Sequence, residues 1–205
     1  MHTINNKGNP DTLILDPLVT YDITIHTIPP VHIDSVKVIP GQHTIIAAST
    51  PQGFLVLKAN GGSDFRDMGV FVRKSGQTLT LNNQKMYQSV KYIVGKYDLE
   101  LPTLPRLLIK DVDIKQSNTT TVEIPRPGIA NFLMNSPGIG SIMQEAGDSL
   151  VRIYELSSLA TSESVRMLPG KYRVVFRPVN AKQSIYTMSS EFEIKSGSAI
   201  SVRLY

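Results

Sequence analysis

The chain of 205 residues contains no cysteine and no tryptophan. The first absence excludes disulfides, thiolate metal sites and a cysteine nucleophile, but leaves the compartment open, because exported proteins also dispense with cysteine. The second weakens a sugar-binding reading, since stacking platforms favour Trp and Tyr. No stretch approaches the roughly 18 consecutive apolar residues of a spanning helix, so no membrane insertion of this segment is expected. The start, Met1-His2-Thr3-Ile4-Asn5-Asn6-Lys7, is too polar for a signal peptide. Gly (14) and Pro (13) are near average usage, which excludes collagen and low-complexity spacers. A charge of +4 and a pI near 9.2 could suggest nucleic acid. Lys and Arg are scattered singly between acids, however, and no basic stripe forms, so no nucleic-acid partner is expected.

Catalytic patterns are missing as well. There is no Gly-x-Ser-x-Gly elbow, and the glycine-rich Pro137-Gly138-Ile139-Gly140-Ser141 lacks the Gly-Lys-Ser/Thr of a phosphate loop. The reading is therefore of a protein with no catalytic residues and no cofactor, an enzyme with an unrecognised site being the third and last alternative.

What is present is an internal repeat. Tyr21-Asp22-Ile23-Thr24-Ile25-His26-Thr27-Ile28-Pro29 aligns without a gap on Tyr97-Asp98-Leu99-Glu100-Leu101-Pro102-Thr103-Leu104-Pro105. The match continues through Ile33/Ile109, Val36/Val112, Thr44/Thr120 and Pro51/Pro127. A more divergent third copy starts at Tyr172, and Gly170-Lys171-Tyr172 repeats Gly95-Lys96-Tyr97. The unit alternates polar and apolar residues at period 2, as in Tyr97 to Leu101, Ile109 to Ile114, Thr120 to Ile124 and Ile200 to Leu204, which predicts strands. Further strands are predicted at Phe54 to Leu57, Val70 to Arg73, Thr78 to Leu81, Asn131 to Met134, Leu150 to Glu155 and Ser164 to Leu168. Ile139 to Ala146 is the one candidate for a helical turn. Short turns at Pro40-Gly41, Ser117-Asn118 and Ser196-Gly197 suggest that the last two strands of each copy pair as an antiparallel hairpin.

The fold class expected is all-β: tandem antiparallel β-sandwich modules of the Ig-like or transthyretin-like kind, with a repeat of about 76 residues. Pro51 and Pro127 follow the last strand of two copies and mark the boundaries. The predicted division is 1–48, an incomplete or degenerate first module, 49–124, a second, and 125–205, a third. These carry net charges of −2, +3 and +3. Either the chain is a fragment cut inside the first module, or residues 1–20, with apolar Thr12-Leu13-Ile14-Leu15, supply a substitute strand; the second is preferred, within a longer parent protein.

Candidate sites are few. His2, His26, His32 and His43 cluster in the first copy, but the positions matching His26 and His32 in the second are Pro102 and Leu108. Asp64 and Asp67 in a glycine-containing loop, and Asp111 and Asp113 on one strand, are weak metal candidates, too few for a calcium cage. Asp22 and Asp98 recur, while Arg173 replaces them in the third copy. Tyr21, Tyr97 and Tyr172 recur in all three, and with Gly95 and Gly170 they are read as structural: a tyrosine at a strand entry buries its ring and bonds its hydroxyl to nearby backbone. Asn118-Thr119-Thr120 matches the glycosylation sequon.

The run of a Gly-x-Tyr entry, an alternating strand, a second strand, a Gly/Ser/Asn turn and a third strand resembles the transthyretin-like modules called carboxypeptidase-regulatory-like and PEGA-type. Pro169-Gly170-Lys171-Tyr172 carries the resemblance best. Such modules also occur in the C-terminal regions of bacterial surface proteins with a von Willebrand factor A domain, Bacteroidetes examples included. The resemblance implies an extracytoplasmic location, at the periplasm or cell surface, and a stalk or presenting role, with a protein or cell-envelope glycan as partner. The alternative is a carbohydrate- or protein-binding module using loops 58–69 and 135–148.

Overall fold

A computed structural model describes residues 13–60, 65–147, 149–181 and 187–205. Among the described residues every regular element is a strand. An N-terminal hairpin, β1 (Thr20–Ile25) and β2 (Val31–Lys37), precedes fourteen strands that form two sandwiches.

The middle sandwich contains β3 (Gln52–Ala59), β4 (Gly69–Lys74), β5 (Thr80–Lys85), β6 (Ser89–Ile93), β7 (Gly95–Leu101), β8 (Leu107–Ile114) and β9 (Thr119–Ile124). Its sheets run β6-β3-β9 and β5-β4-β7-β8. The C-terminal sandwich repeats the plan with β10 (Gly128–Met134), β11 (Gly138–Ala146), β12 (Ser149–Leu156), β13 (Ser162–Met167), β14 (Gly170–Pro178), β15 (Met188–Ile194) and β16 (Ala199–Leu204). Its sheets run β13-β10-β16 and β12-β11-β14-β15. The all-β, tandem-sandwich expectation is borne out.

Alternation explains the packing. In β7, Tyr97, Leu99 and Leu101 point inward while Asp98 and Glu100 face out; Tyr172, Val174 and Phe176 do the same in β14. Across the middle core they meet Leu55 and Leu57 of the other sheet, fully buried, each worth about 2 kcal/mol on leaving water. Gln84 is the buried polar residue of this core. Its amide donates to Leu55 O (3.0 Å) and Gln88 O (2.9 Å), and its Oε1 accepts from the Tyr92 hydroxyl (2.9 Å), so the β5 side chain is tied to both β3 and β6 with no polar atom stranded.

Several expectations need correction. The last two strands of each sandwich are not hairpins: β8 pairs with β7 and β9 lies parallel to β3 in the opposite sheet, and β15 and β16 part in the same way. The turns at Ser117 and Gly197, both in the left-handed region (φ 57° and 67°), are arches that carry the chain across the core. Each arch rests on a glycine: a Cβ at Gly53 would stand 2.1 Å from Lys115 O, and one at Gly128 2.8 Å from Lys195 O. The segment expected to form a helical turn, Ile139 to Ala146, lies in strand β11. Its glycines thin the strand for the Phe176 ring, which a Cβ at Gly138 would meet at 2.3 Å. The supposed loop 135–148 is therefore mostly strand.

In the first unit no strand follows Gly41; residues 38–51 are irregular. The strand at that place in the other units closes against β3 or β10, and the described residues hold no counterpart of those before β1. Leu13–Leu15 carries no strand ladder either, so the described part of the expected substitute strand is not one; Thr12 lies outside the described residues.

Candidate functional site

The positions that recur in sequence meet at the junctions between units. The Tyr97 hydroxyl donates to Ile93 O (2.7 Å), and the Tyr172 hydroxyl to Leu168 O (2.8 Å), each four residues upstream. Burial pushes both phenols up to about 12. Gly95 opens β7 with φ 152°, and Gly170 opens β14, where a Cβ would stand 3.1 Å from the Tyr172 hydroxyl. Tyr21 differs: its hydroxyl donates to Asp16 O (3.1 Å) and accepts from Asp16 N–H (2.8 Å), at an exposed position.

The residue that receives each tyrosine also receives the preceding unit. Ile93 N–H donates to Ile28 O (2.8 Å), and Leu168 N–H to Leu104 O (2.7 Å). Ile28 lies at the edge of the middle core and Leu104 at the edge of the C-terminal core. Both belong to tight loops between paired strands, β1–β2 and β7–β8. In each loop a threonine closes the turn: Thr27 Oγ1 donates to Pro29 O (2.6 Å) and Thr103 Oγ1 to Pro105 O (2.7 Å). The Ile28–Pro29 and Leu104–Pro105 bonds are both cis. One unit thus reaches into the next through a Thr-Ile/Leu-Pro hook, and the tyrosine fixes the backbone that it grips. The signal was visible as Thr27/Thr103 and Pro29/Pro105 identities, but nothing local told that these loops face a neighbour.

The recurring aspartates cap a bulge. Ser35 and Asp111 have φ near +60°, and their N–H groups donate to Asp22 Oδ1 and Asp98 Oδ1, each at 3.0 Å. The strand registers shift at these points, whereas β14 and β15, with Arg173 at the matching place, pair without a shift. Asp98 Oδ2 also accepts Gly76 N–H (3.0 Å). These bonds, that from Asp111 first, hold its carboxyl below the usual range.

The metal candidates do not converge. Asp64 lies outside the described residues and Asp67 is exposed in a turn. Asp111 accepts from Ser75 Oγ (2.7 Å), and Asp113 faces Lys115 at 3.9 Å. Among the described residues no three His, Asp or Glu side chains stand together as a metal cage. His26, His32 and His43 are exposed, with His32 Nδ1 sharing a hydrogen bond with Thr24 Oγ1 (3.1 Å); His2 lies outside the described residues. Other shifted groups have partners within the fold. The Arg73 hydrogen bond holds Glu100 below its usual range, with Arg106 adding to it at 2.7 Å. Burial raises Tyr92 to about 12 against the Asn82 bond, and the Tyr154 phenol is raised by its bond to Glu163. Asn118 of the sequon sits in an arch, its carbonyl bound by Phe54 N–H (2.8 Å).

No family model matches the chain, and no curated protein matches it. Among solved structures it is similar to GBS52, a minor pilin of Streptococcus agalactiae, at 9% identity and a TM-score of 0.37, covering 75% of this chain and 94% of that one. It is also similar to the Bacillus anthracis TIE protein at 13% identity and a TM-score of 0.31, covering 76% of this chain and 33% of that one. Likenesses this distant do not bear on function, which rests on the chain's own geometry.

Proposed function

We propose that the chain is a non-catalytic array of transthyretin-like sandwich modules, divided as 1–48, 49–124 and 125–205, that serves as a semi-rigid spacer or presenting stalk of an extracytoplasmic bacterial protein. The observation that carries this reading is the junction built twice on the same plan. Ile28 and Leu104 each bury an apolar side chain against the next core and accept a backbone hydrogen bond from it. A connector of few residues between Ile124 and Gly128, with Pro125 and Pro127 in it, leaves few free dihedrals beside that contact. At that junction two restraints side by side, the covalent link and the hook, limit rotation in a way that a single flexible linker cannot, while the first junction, whose link 38–51 is irregular, relies on the hook. The extracytoplasmic placement follows the resemblance to Gly-x-Tyr modules of surface proteins, and a protein is the favoured kind of partner.

Small-angle scattering tests the reading. The native chain should scatter as one semi-rigid particle, and Leu104→Ala with Ile28→Ala should broaden its distance distribution while each sandwich keeps its circular dichroism. Freely jointed units in the native chain would overturn the proposal.

A further inference from the structure

The N-terminal hairpin exposes an edge that the other two units cover. Among the described residues β1 pairs with β2 alone, whereas the same edge of β7 holds β4 and that of β14 holds β11, both antiparallel. We propose that the outer edge of β1 accepts a strand from a partner polypeptide, antiparallel, apolar at alternate positions and followed by a turn whose backbone N–H reaches Asp22.

The filled copies show the occupant in register. Lys74 stands opposite Tyr97, Arg73 opposite Asp98 and Val72 opposite Leu99. Transposed to the hairpin, an apolar residue faces Ile23. The Arg73 guanidinium binds Glu100, whose place Thr24 takes in the hairpin, and in the third unit Arg173 pairs with Glu191 of β15 opposite a neutral Met143, so the edge asks the occupant for apolar alternation and backbone donors rather than for a charge. Asp22 is built for only half of its bonds by the hairpin: Oδ1 takes Ser35 N–H as Asp98 Oδ1 takes Asp111 N–H, but Asp98 Oδ2 takes Gly76 N–H from the turn after the occupant strand.

The ground beside the edge is apolar. Ile14, Leu18 and Ile45 are 100%, 92% and 90% exposed, and an open cleft of about 760 Å³ runs between Leu13, Ile14, Ile23, Val38 and Ile46. An unpaired edge next to such a surface is a template for another chain. A second copy fits poorly: its β4 and β11 are already paired, and its β1 would bring the same aspartate. Residues 1–12 have no alternating apolar pattern.

The test uses the full chain and a fluorescein-labelled peptide of the sequence Met68–Gln77, the occupant of the middle unit. Anisotropy should saturate, the same peptide N-methylated at residues 70–73, which keeps its apolar side chains but cannot donate to the edge, should bind about fivefold more weakly, and Asp22→Ala in the protein should weaken the native peptide. No saturation of either peptide below about 1 mM would overturn the proposal. So would equal binding of both, which is mere apolar adsorption, or a concentration-dependent dimer in sedimentation equilibrium, which would assign the edge to a second copy.

Discussion

The N-terminal hairpin and β7–β8 share their tyrosine, their bulge, the capping aspartate and the Thr-x-Pro hook, yet they occupy opposite states of burial. In the middle sandwich Tyr97, Leu99 and Leu101 are 2%, 1% and 0% exposed, whereas no described residue from Leu13 to Ala48 is buried. Local features, then, need no core to form: turn, bulge cap and cross-strand pairing close within the hairpin. Stability is another matter, because a two-stranded ribbon alone has no second layer to exclude water. The hairpin is held instead at its tip, where Ile28 enters the middle core.

The comparison can be broken most sharply at equivalent core positions. Leu99→Ala should destabilise the middle sandwich by about 3 kcal/mol, and Ile23→Ala should cost less than about 1 kcal/mol, as read by urea denaturation. Equal costs would mean that the hairpin face is covered in solution. Next come the tyrosines. Removing the hydroxyl in Tyr97→Phe or Tyr172→Phe strands a backbone carbonyl and should cost about 1 to 2 kcal/mol, with amide exchange faster at Ile93 or Leu168. Tyr21→Phe, whose partner is exposed, should fall below about 0.5 kcal/mol.

The smallest effect concerns the bulge cap. The Asp98 carboxyl is held below its ordinary 3.8, so its contribution is complete above that value and is lost as pH falls through the lower folded value. Asp98→Asn should therefore cost about 0.5 kcal/mol or less at pH 7 and should make the middle sandwich less responsive to acid below pH 4. An unchanged acid profile would show that the cap contributes nothing.

Much of the fold was legible. Period-2 alternation located most strands, and the repeated tyrosines and prolines pointed to units that share one plan. The turn at Ser117-Asn118 misled, because a tight turn between two alternating strands signals a hairpin as readily as an arch. The choice is made by Gly53, some sixty residues earlier, whose bare Cα lets β3 pass beneath Lys115 O. Gly138 and Gly140 misled for a related reason: they fall within the expected loop 135–148, yet they make room for Phe176 in a strand. Of the candidate site, Tyr97 and Asp98 could be singled out from recurrence, but not the Ile28 and Leu104 contacts, since nothing local in Thr-x-Pro shows what it touches.

By itself, then, the sequence determined the alternating strands, the repeat and the residues that close each unit, because these depend on neighbours within a few positions along the chain. Which strands share a sheet, the parallel closure of β3 by β9, the grip of one unit on the next and the open edge of β1 were decided only in the tertiary structure. Each depends on groups brought together from far along the chain, where side-chain volume and backbone hydrogen bonding, rather than local pattern, determine what fits.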